Sequence, residues 1–210
     1  MYLSSLKPLV GALVCMATVG AANASFTVGT FADPAAGSWE NFFEYNRLSS
    51  NTVTLEGAWQ TDGLHLLTPG IAAPDQFNAR FELRNAQDGT VLTFIDASNN
   101  GDYRSGPGYV RFFDAGNSTI LRIDFDVSQL TNGGFTAGNF AGTNANMSGP
   151  IVEPGWSDEQ FAFAFANLNV IDSNTFTWSG SFTSSAVPEP ATVVALALGG
   201  VAVLRRRKSN

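Results

Sequence analysis

Strict alternation of apolar and polar side chains is the feature that most constrains how this chain folds. In the stretch FNARFELR, residues 77–84, every second residue is apolar and the residues between are Asn, Arg and Glu. Successive side chains of a β-strand point to opposite faces, so this pattern predicts a strand with one buried face. The same alternation predicts strands at ILRIDFDV (120–127), FAFAFANLNV (161–170) and TFTWSGSF (175–182).

Turn-forming residues separate these stretches at short intervals. Asp-Gly and Asn-Gly pairs, such as those at 88–89 and 100–101, favour tight turns between strands. About eight or nine short strands with this spacing predict an all-β fold, an antiparallel β-sandwich or a jelly roll. The weaker strand candidates are residues 26–31, 52–59, 64–67, 90–97 and 109–115.

Two stretches allow more than one interpretation. Residues 37–50, GSWENFFEYNRLSS, are compatible with a short helix or with a strand. Residues 131–150 are rich in Gly and Asn, which predicts a long loop, either functional or mobile, unless the segment contains a strand.

The charge of the chain is unevenly distributed. Residues 25–187 contain six arginines, no lysine and 17 acidic residues, so their formal charge is −11, against −7 for the whole chain. Nucleic acids and anionic lipids are bound through basic surfaces, so this acidic body argues against both as partners. The acidic charge is more compatible with neutral polymers or divalent cations as partners.

The N-terminal residues predict a cleavable signal peptide. Lys7 precedes the apolar run 9–19, and Ala22 and Ala24 form a small-x-small cleavage pattern. Cleavage after Ala24 makes residues 1–24 a removable signal helix and predicts export. It also removes Cys15, the single cysteine, which excludes disulfides, thiolate metal ligands and a cysteine nucleophile from the exported protein.

The C-terminal residues predict a transmembrane helix that is only marginally long enough to span a bilayer. The uncharged stretch 191–204 would form a helix of about 21 Å, shorter than the roughly 30 Å hydrocarbon core of a bilayer. A basic cluster follows this apolar helix and favours a cytoplasmic location for the end of the chain. The cluster consists of Arg205, Arg206, Arg207 and Lys208.

Pro188, Glu189 and Pro190 directly precede the apolar helix. Their order with the helix and the basic cluster closely resembles the PEP-CTERM sorting signal, and the resemblance covers residues 185–210. Proteins with this signal are exported by Gram-negative bacteria that make exopolysaccharide. The resemblance implies that an exosortase reads the Pro-Glu-Pro motif and processes the tail, so these residues are recognised rather than catalytic. It implies a transient membrane contact and a body outside the cytoplasmic membrane.

The stretch DASNNGD, residues 96–102, is the candidate metal site. Asp96, Ser98 and Asn100 alternate before Gly101, and Asp102 follows, as at the start of a Ca²⁺ loop. An EF-hand is excluded because Pro107 stands where a bidentate Glu is needed. The stretch is therefore either an irregular Ca²⁺ loop or, as we favour, a polar hairpin loop.

The aromatic residues and the single histidine provide few further candidates. Trp156, in the polar stretch EPGWSDEQ, is predicted to lie in a loop and is the candidate platform for stacking on a sugar ring. Trp178 shares a strand face with Phe176 and is predicted to be buried. His65 is expected to be packed or at a strand edge, and no catalytic residue is assigned.

We therefore expect a non-enzymatic, exported β-domain at residues 25–184, located at the cell envelope or in the extracellular matrix. Its expected partners are an exosortase, the export machinery and polysaccharide, with a contribution to biofilm matrix. Two alternatives stay open: a secreted hydrolase or lyase with a carboxylate pair, and an adhesion module that uses Ca²⁺ at residues 96–102.

Overall fold

The fold was analysed in a computed structural model that describes residues 25–31, 42–71, 76–132 and 138–188. These residues form thirteen β-strands: β1 (Phe26–Phe31), β2 (Phe43–Arg47), β3 (Thr52–Leu67), β4 (Gln76–Asn85), β5 (Leu92–Ile95), β6 (Asp102–Ser105), β7 (Gly108–Phe113), β8 (Thr119–Phe125), β9 (Val127–Asn132), β10 (Gly138–Thr143), β11 (Asn146–Ser148), β12 (Trp156–Val170) and β13 (Thr175–Pro188).

All strand pairs described are antiparallel and belong to one continuous sheet, so the prediction of an all-β, antiparallel fold is confirmed. The described residues include no helix, and accordingly none that is long and apolar enough to cross a membrane. The predicted signal helix (1–24) and the apolar C-terminal helix (191–204) lie outside the described residues.

Eight of the described strands pair around a closed ring. The order is β2, β3, β5, β6, β9, β10, β12 and β13, and β13 pairs with β2 again. Each of these strands therefore has a hydrogen-bonded neighbour on both sides over part of its length. Their buried side chains are largely aromatic and include Tyr45, Phe94, Phe140, Phe163 and Trp178.

The other strands extend the sheet beyond this ring. The far end of β3 pairs with β4, and β7, β8 and β11 follow in that order. The far end of β13 pairs with β1, which also meets β3 at the Thr30–Leu67 pair. Within the described residues β11 pairs only with β8, so it forms the end of the sheet.

Aromatic rings fill the core where the first and last of the described strands meet. Phe31 of β1 stacks on Phe42 and on Phe182 of β13, each at a centroid distance of 5.6 Å, and contacts Phe163 edge-on at 6.2 Å. Burying one such side chain contributes about 1.5–3 kcal/mol to folding. Because Cys15 is the only cysteine, packing rather than cross-linking stabilises these residues.

The four strands predicted from alternation are present, but the structure starts the 161–170 strand at Trp156, extends the 175–182 strand to Pro188 and divides the 120–127 strand. The 77–84 pattern is the centre of β4, where Ala79, Phe81 and Leu83 are buried as expected. The 120–127 pattern instead ends one strand and begins another. Asp126 lies between β8 and β9, where its N–H bonds to the carbonyl of Thr143, and Val127 is 38% exposed.

The ambiguous and weaker stretches all contain strands, several of them with other bounds than predicted. Residues 52–59 and 64–67 were predicted as two strands but belong to β3, whose pairing with β4 shifts register between Trp59 and Leu64. The 37–50 stretch contains the strand β2, and its residues 37–41 lie outside the described part. The glycine-rich stretch 131–150 contains β10 and β11 rather than one long loop.

Candidate functional site

The sheet opens into a cleft between the end of β10, with the turn that follows it, and the first half of β12. β12 pairs with β10 only near Ala162 and Ala164, and within the described residues its positions 156–161 pair with β13 alone. The edges of β11 and β12 therefore face each other without a strand between them. The resulting cleft has a volume of about 720 Å³ and is lined by residues 141–145, residues 158–162, Thr183 and Ser185.

Glu159 spans this opening. Its carboxylate accepts a hydrogen bond from the backbone N–H of Met147 in β11, and it thereby occupies a donor that a neighbouring strand would otherwise take. Burial raises the pKa of Glu159, and the hydrogen bond from Met147 only partly offsets that effect. The carboxylate is therefore held in a less hydrated position than the surface acids of this protein.

The wall formed by residues 141–145 is built from small and polar side chains. Gly142 lies so close to Phe161 that an added Cβ would come within 2.4 Å of its ring, so a glycine is needed there. Asn144 has a φ of 51° and donates from Nδ2 to Oδ2 of Asp126 at 3.1 Å. Thr143 donates to the carbonyl of Val127 at 3.3 Å. These bonds fix the rim of the cleft.

The chemistry of the lining suits a neutral polar ligand. Hydroxyl, amide and carboxylate groups of Ser185, Gln160 and Asp158 are available along its length, and the described lining includes neither Lys nor Arg. An anion would meet two carboxylates here without a cation. Carboxylates and amides instead pair well with hydroxyl donors.

The candidate metal loop is held together by Asp96. Its Oδ2 accepts from the N–H of Gly101 at 2.8 Å, and its Oδ1 accepts from the N–H groups of Ser98 at 3.1 Å and Asn100 at 3.2 Å. Burial acts to raise the pKa of Asp96, but these backbone donors outweigh it and lower the pKa below its usual value. Asn100 and Asp102 bond to each other.

This arrangement places three of the predicted ligands in the loop between β5 and β6 and the fourth, Asp102, at the start of β6, with the Asp96 carboxylate already bonded to the backbone. Within the described part of the chain, no three His, Cys, Asp or Glu side chains are grouped so that they could hold a metal ion. The Ca²⁺ loop therefore stays a prediction, and the hydrogen bonds account for the loop without an ion.

Trp156 was predicted to lie in a loop, but it is the first residue of β12. It is partly buried and contacts Phe26 edge-on, with ring centroids 5.0 Å apart. The predicted sugar platform would therefore have to use the remaining surface of the ring. Trp178 is buried as predicted, whereas His65 is exposed on β3 and bonds through Nδ1 to Nε2 of Gln76 at 2.7 Å.

The sorting motif begins on the folded domain. β13 continues to Pro188, so residues 185–188, which were assigned to the tail, are the last paired residues of the sheet. Ala186 is fully buried on the face of β13 that it shares with Phe182 and Ser184, and Val187, on the opposite face, is 9% exposed. The rest of the predicted signal residues lie outside the described part: Ala22, Ala24, Glu189, Pro190, Arg205, Arg206, Arg207 and Lys208.

Sequence reasoning missed both Glu159 and the cleft. The stretch EPGWSDEQ has no alternation of apolar residues before Phe161, so it was assigned to a loop. The cleft combines segments near 141–145, 158–162 and 183–185, and pairing between distant segments is invisible in a single sequence. The run of polar residues just before a strand of alternating Phe was the one available signal.

Comparison with curated proteins and with solved structures found no match to this chain. The family model of the PEP-CTERM protein-sorting motif matches residues 186–208. This match confirms the resemblance seen at the C-terminus and indicates an exported, exosortase-sorted protein. The chain therefore carries a PEP-CTERM protein-sorting motif, which starts within β13.

Proposed function

We propose that this is a non-enzymatic protein of the Gram-negative cell envelope or extracellular matrix, whose β-domain binds a neutral polysaccharide in the cleft between the end of β10 and β12. The lining of this cleft is the observation that carries the proposal. Its volume of about 720 Å³ falls in the range of about 300–1,000 Å³ usual for ligand sites. Its polar groups match the hydroxyls of a sugar.

The charge of the protein narrows the class of polysaccharide. A body with a formal charge of −11 and no lysine repels uronic acids, sulfated sugars and phosphorylated polymers. A neutral glycan avoids this repulsion, and its hydroxyls can donate to Asp158 and to the side-chain carbonyl of Gln160 at the cleft. Sorting to the cell surface brings the protein to the compartment where exopolysaccharide accumulates.

Binding rather than hydrolysis is favoured by the positions of the cleft acids. A glycosidase needs one carboxylic acid and one carboxylate on opposite sides of the bond, about 5–9.5 Å apart. Asp158 and Glu159 are adjacent on one strand, and Glu159 is bonded to the backbone of Met147. A secreted carbohydrate-active enzyme is the alternative, and it would lose activity in both Glu159→Gln and Asp158→Asn.

The binding proposal can be tested with the exported protein on an array of neutral and acidic glycans, followed by calorimetry with each neutral glycan that binds. We expect Thr183→Trp, which places an indole in the cleft, to lower affinity at least tenfold. The matched control is Thr93→Trp, since Thr93 is exposed on β5, away from the cleft. Equal affinity of the two variants, or binding of acidic glycans alone, would overturn the assignment of the cleft.

The sorting proposal needs a separate test in cells. Removing residues 189–210 leaves every described strand intact and deletes most of the matched motif. We expect the truncated protein to lose its envelope location and to accumulate in another fraction. An unchanged partition between envelope and medium would contradict exosortase sorting of this chain.

A further inference from the structure

The sorting motif and the folded domain overlap by three residues. The matched motif starts at Ala186, and β13 ends at Pro188. Ala186 pairs with Phe26 of β1, so it lies between two strands and is fully buried. The first residues of the signal are therefore part of the sheet that the rest of the chain forms.

Two rungs attach the beginning of the Pro-Glu-Pro motif to β12. Val187 pairs with Ser157, whose hydroxyl donates to the carbonyl of Val187 at 3.4 Å, and Pro188 pairs with Trp156. Trp156 in turn packs against Phe26, the partner of Ala186. The backbone of Val187 and Pro188, and one side of this segment, therefore already contact the folded domain.

A break in the ladder separates these two rungs from the rest of the sheet. The β12–β13 register shifts between Ser157 and Gln160, and Asp158 within the shift has a φ of 49°. Ladder pairing is locally disrupted at a bulge of this kind. Strand ends open with much smaller free energies than the whole domain does, so the two terminal rungs can separate while the core stays folded.

Enzymes that act on a peptide segment commonly bind it as an extended strand, through the same backbone groups that a sheet uses. We infer that the sorting enzyme acts on a partly opened form of this domain, in which Val187 and Pro188 have left β12. The stability of the terminal rungs then sets the rate at which the tail is processed. This inference rests on the proposed exosortase sorting. It adds that the local stability of the folded domain controls how fast the enzyme processes the tail.

A disulfide across the terminal rungs tests the inference. Paired residues of an antiparallel ladder have Cα atoms about 4.5–5.5 Å apart, which a disulfide can bridge. Ser157→Cys/Val187→Cys would form the only disulfide in the exported protein, because Cys15 lies in the predicted signal peptide. Pulse-chase labelling in a host with an active exosortase then follows conversion of precursor to the shorter product on a gel.

We expect the cross-linked variant to accumulate as precursor, with processing slowed at least tenfold, and a reductant to restore the rate. The single variants Ser157→Cys and Val187→Cys control for the lost hydroxyl and the changed core side chain. The matched control is Thr54→Cys/Thr93→Cys, which links a β3–β5 pair far from the motif and should process normally. Trp156→Ala, which removes the contact with Phe26, should process faster than the native protein.

The outcomes separate the inference from the proposal on which it rests. Processing of the cross-linked variant at the native rate would overturn the opening step and leave exosortase sorting intact. A native precursor that is never converted would overturn the sorting proposal, and the opening step with it. Slowing of both cross-linked variants alike would also contradict the inference, because it would show a general effect of disulfides on export.

Discussion

Phe31 and Phe182 lie opposite each other across the β1–β13 pair, and their rings stack at a centroid distance of 5.6 Å. The two residues are separated by most of the chain, yet both are at least 98% buried. Their contact joins the first described strand to the last and lies among the rings of Phe112 and Phe163. The two ends of the domain therefore depend on one aromatic cluster.

Replacing Phe182 by Ala should destabilise the domain by about 3–5 kcal/mol, because it removes a buried ring and leaves a cavity between β1 and β13. Urea unfolding followed by tryptophan fluorescence measures the change in the free energy of unfolding. The neighbouring exposed residue provides the control: Thr183→Ala should change that free energy by less than about 0.5 kcal/mol. Similar losses in the two variants would contradict the position of Phe182 in the core.

The boundary between the domain and the tail predicts different outcomes for two truncations. A protein that ends at Pro188 retains all pairs of β13, and its Tm should equal that of the longer exported chain. A protein that ends at Ser184 lacks the buried Ala186 and its pair with Phe26, so its Tm should be several degrees lower. Differential scanning calorimetry distinguishes them, and equal Tm values would place the boundary at residue 184 after all.

Asp96 should make stability depend on pH in the acid range. Its pKa is lowered in the folded state, so its contribution is fully present above the ordinary aspartate pKa of about 3.9 and is lost as the pH falls through the folded value. Asp96→Asn should therefore lower the Tm at pH 7 and differ least from the native protein at the lowest pH. A Tm difference that stays constant with pH would contradict the role of the charge.

The same loop decides the Ca²⁺ hypothesis. Both oxygens of the Asp96 carboxylate already accept backbone N–H groups, so we expect the Tm to be unchanged by millimolar Ca²⁺. Thermal shift with and without Ca²⁺ measures this directly, and Mg²⁺ controls for ionic strength. A Ca²⁺-specific rise that disappears in Asp96→Ala would establish the cation site and favour the adhesion module.

Glu159 should have the opposite pH dependence. Burial raises its folded pKa, so its folded form binds a proton more tightly than the unfolded chain does, and stability is lost as the pH rises through the folded pKa. Glu159→Gln retains an oxygen for the N–H of Met147 without a charge. The variant should match or exceed the native Tm at pH 7, and its advantage should shrink in acid. If the Tm of Glu159→Gln fell further below the native Tm at pH 7 than in acid, this effect of burial would be contradicted.

The alternation rule predicted those strands whose two faces differ in polarity. β4 is the clearest case, since Phe81 and Leu83 are buried while Arg84 reaches Glu56 of the neighbouring strand at 2.9 Å. The rule failed where a change of polarity does not mark the end of a strand. It divided β3 at the register shift after Trp59, and it joined β8 to β9 across Asp126, which looks like one more outward-facing residue.

The alternation rule could not predict the candidate site, for a different reason. Ser184 accepts a hydrogen bond from the backbone N–H of Gly29, 155 residues away in sequence, and the cleft likewise depends on which distant strands become neighbours. Alternation assigns a residue to a face but does not give the order of strands in a sheet. The sorting motif could be recognised because its three parts are consecutive in sequence, whereas its attachment to β12 could not.

The pair between Phe26 and Ala186 also has a consequence for engineering. Because the start of β1 and the end of β13 lie on adjacent antiparallel strands, both ends of the β-domain leave it at nearly the same point. A domain of this kind can replace a surface loop of a host protein without forcing the host's two strand ends apart. It can equally accept new termini in the exposed turn at residues 97–100 after its own ends are joined by a short linker.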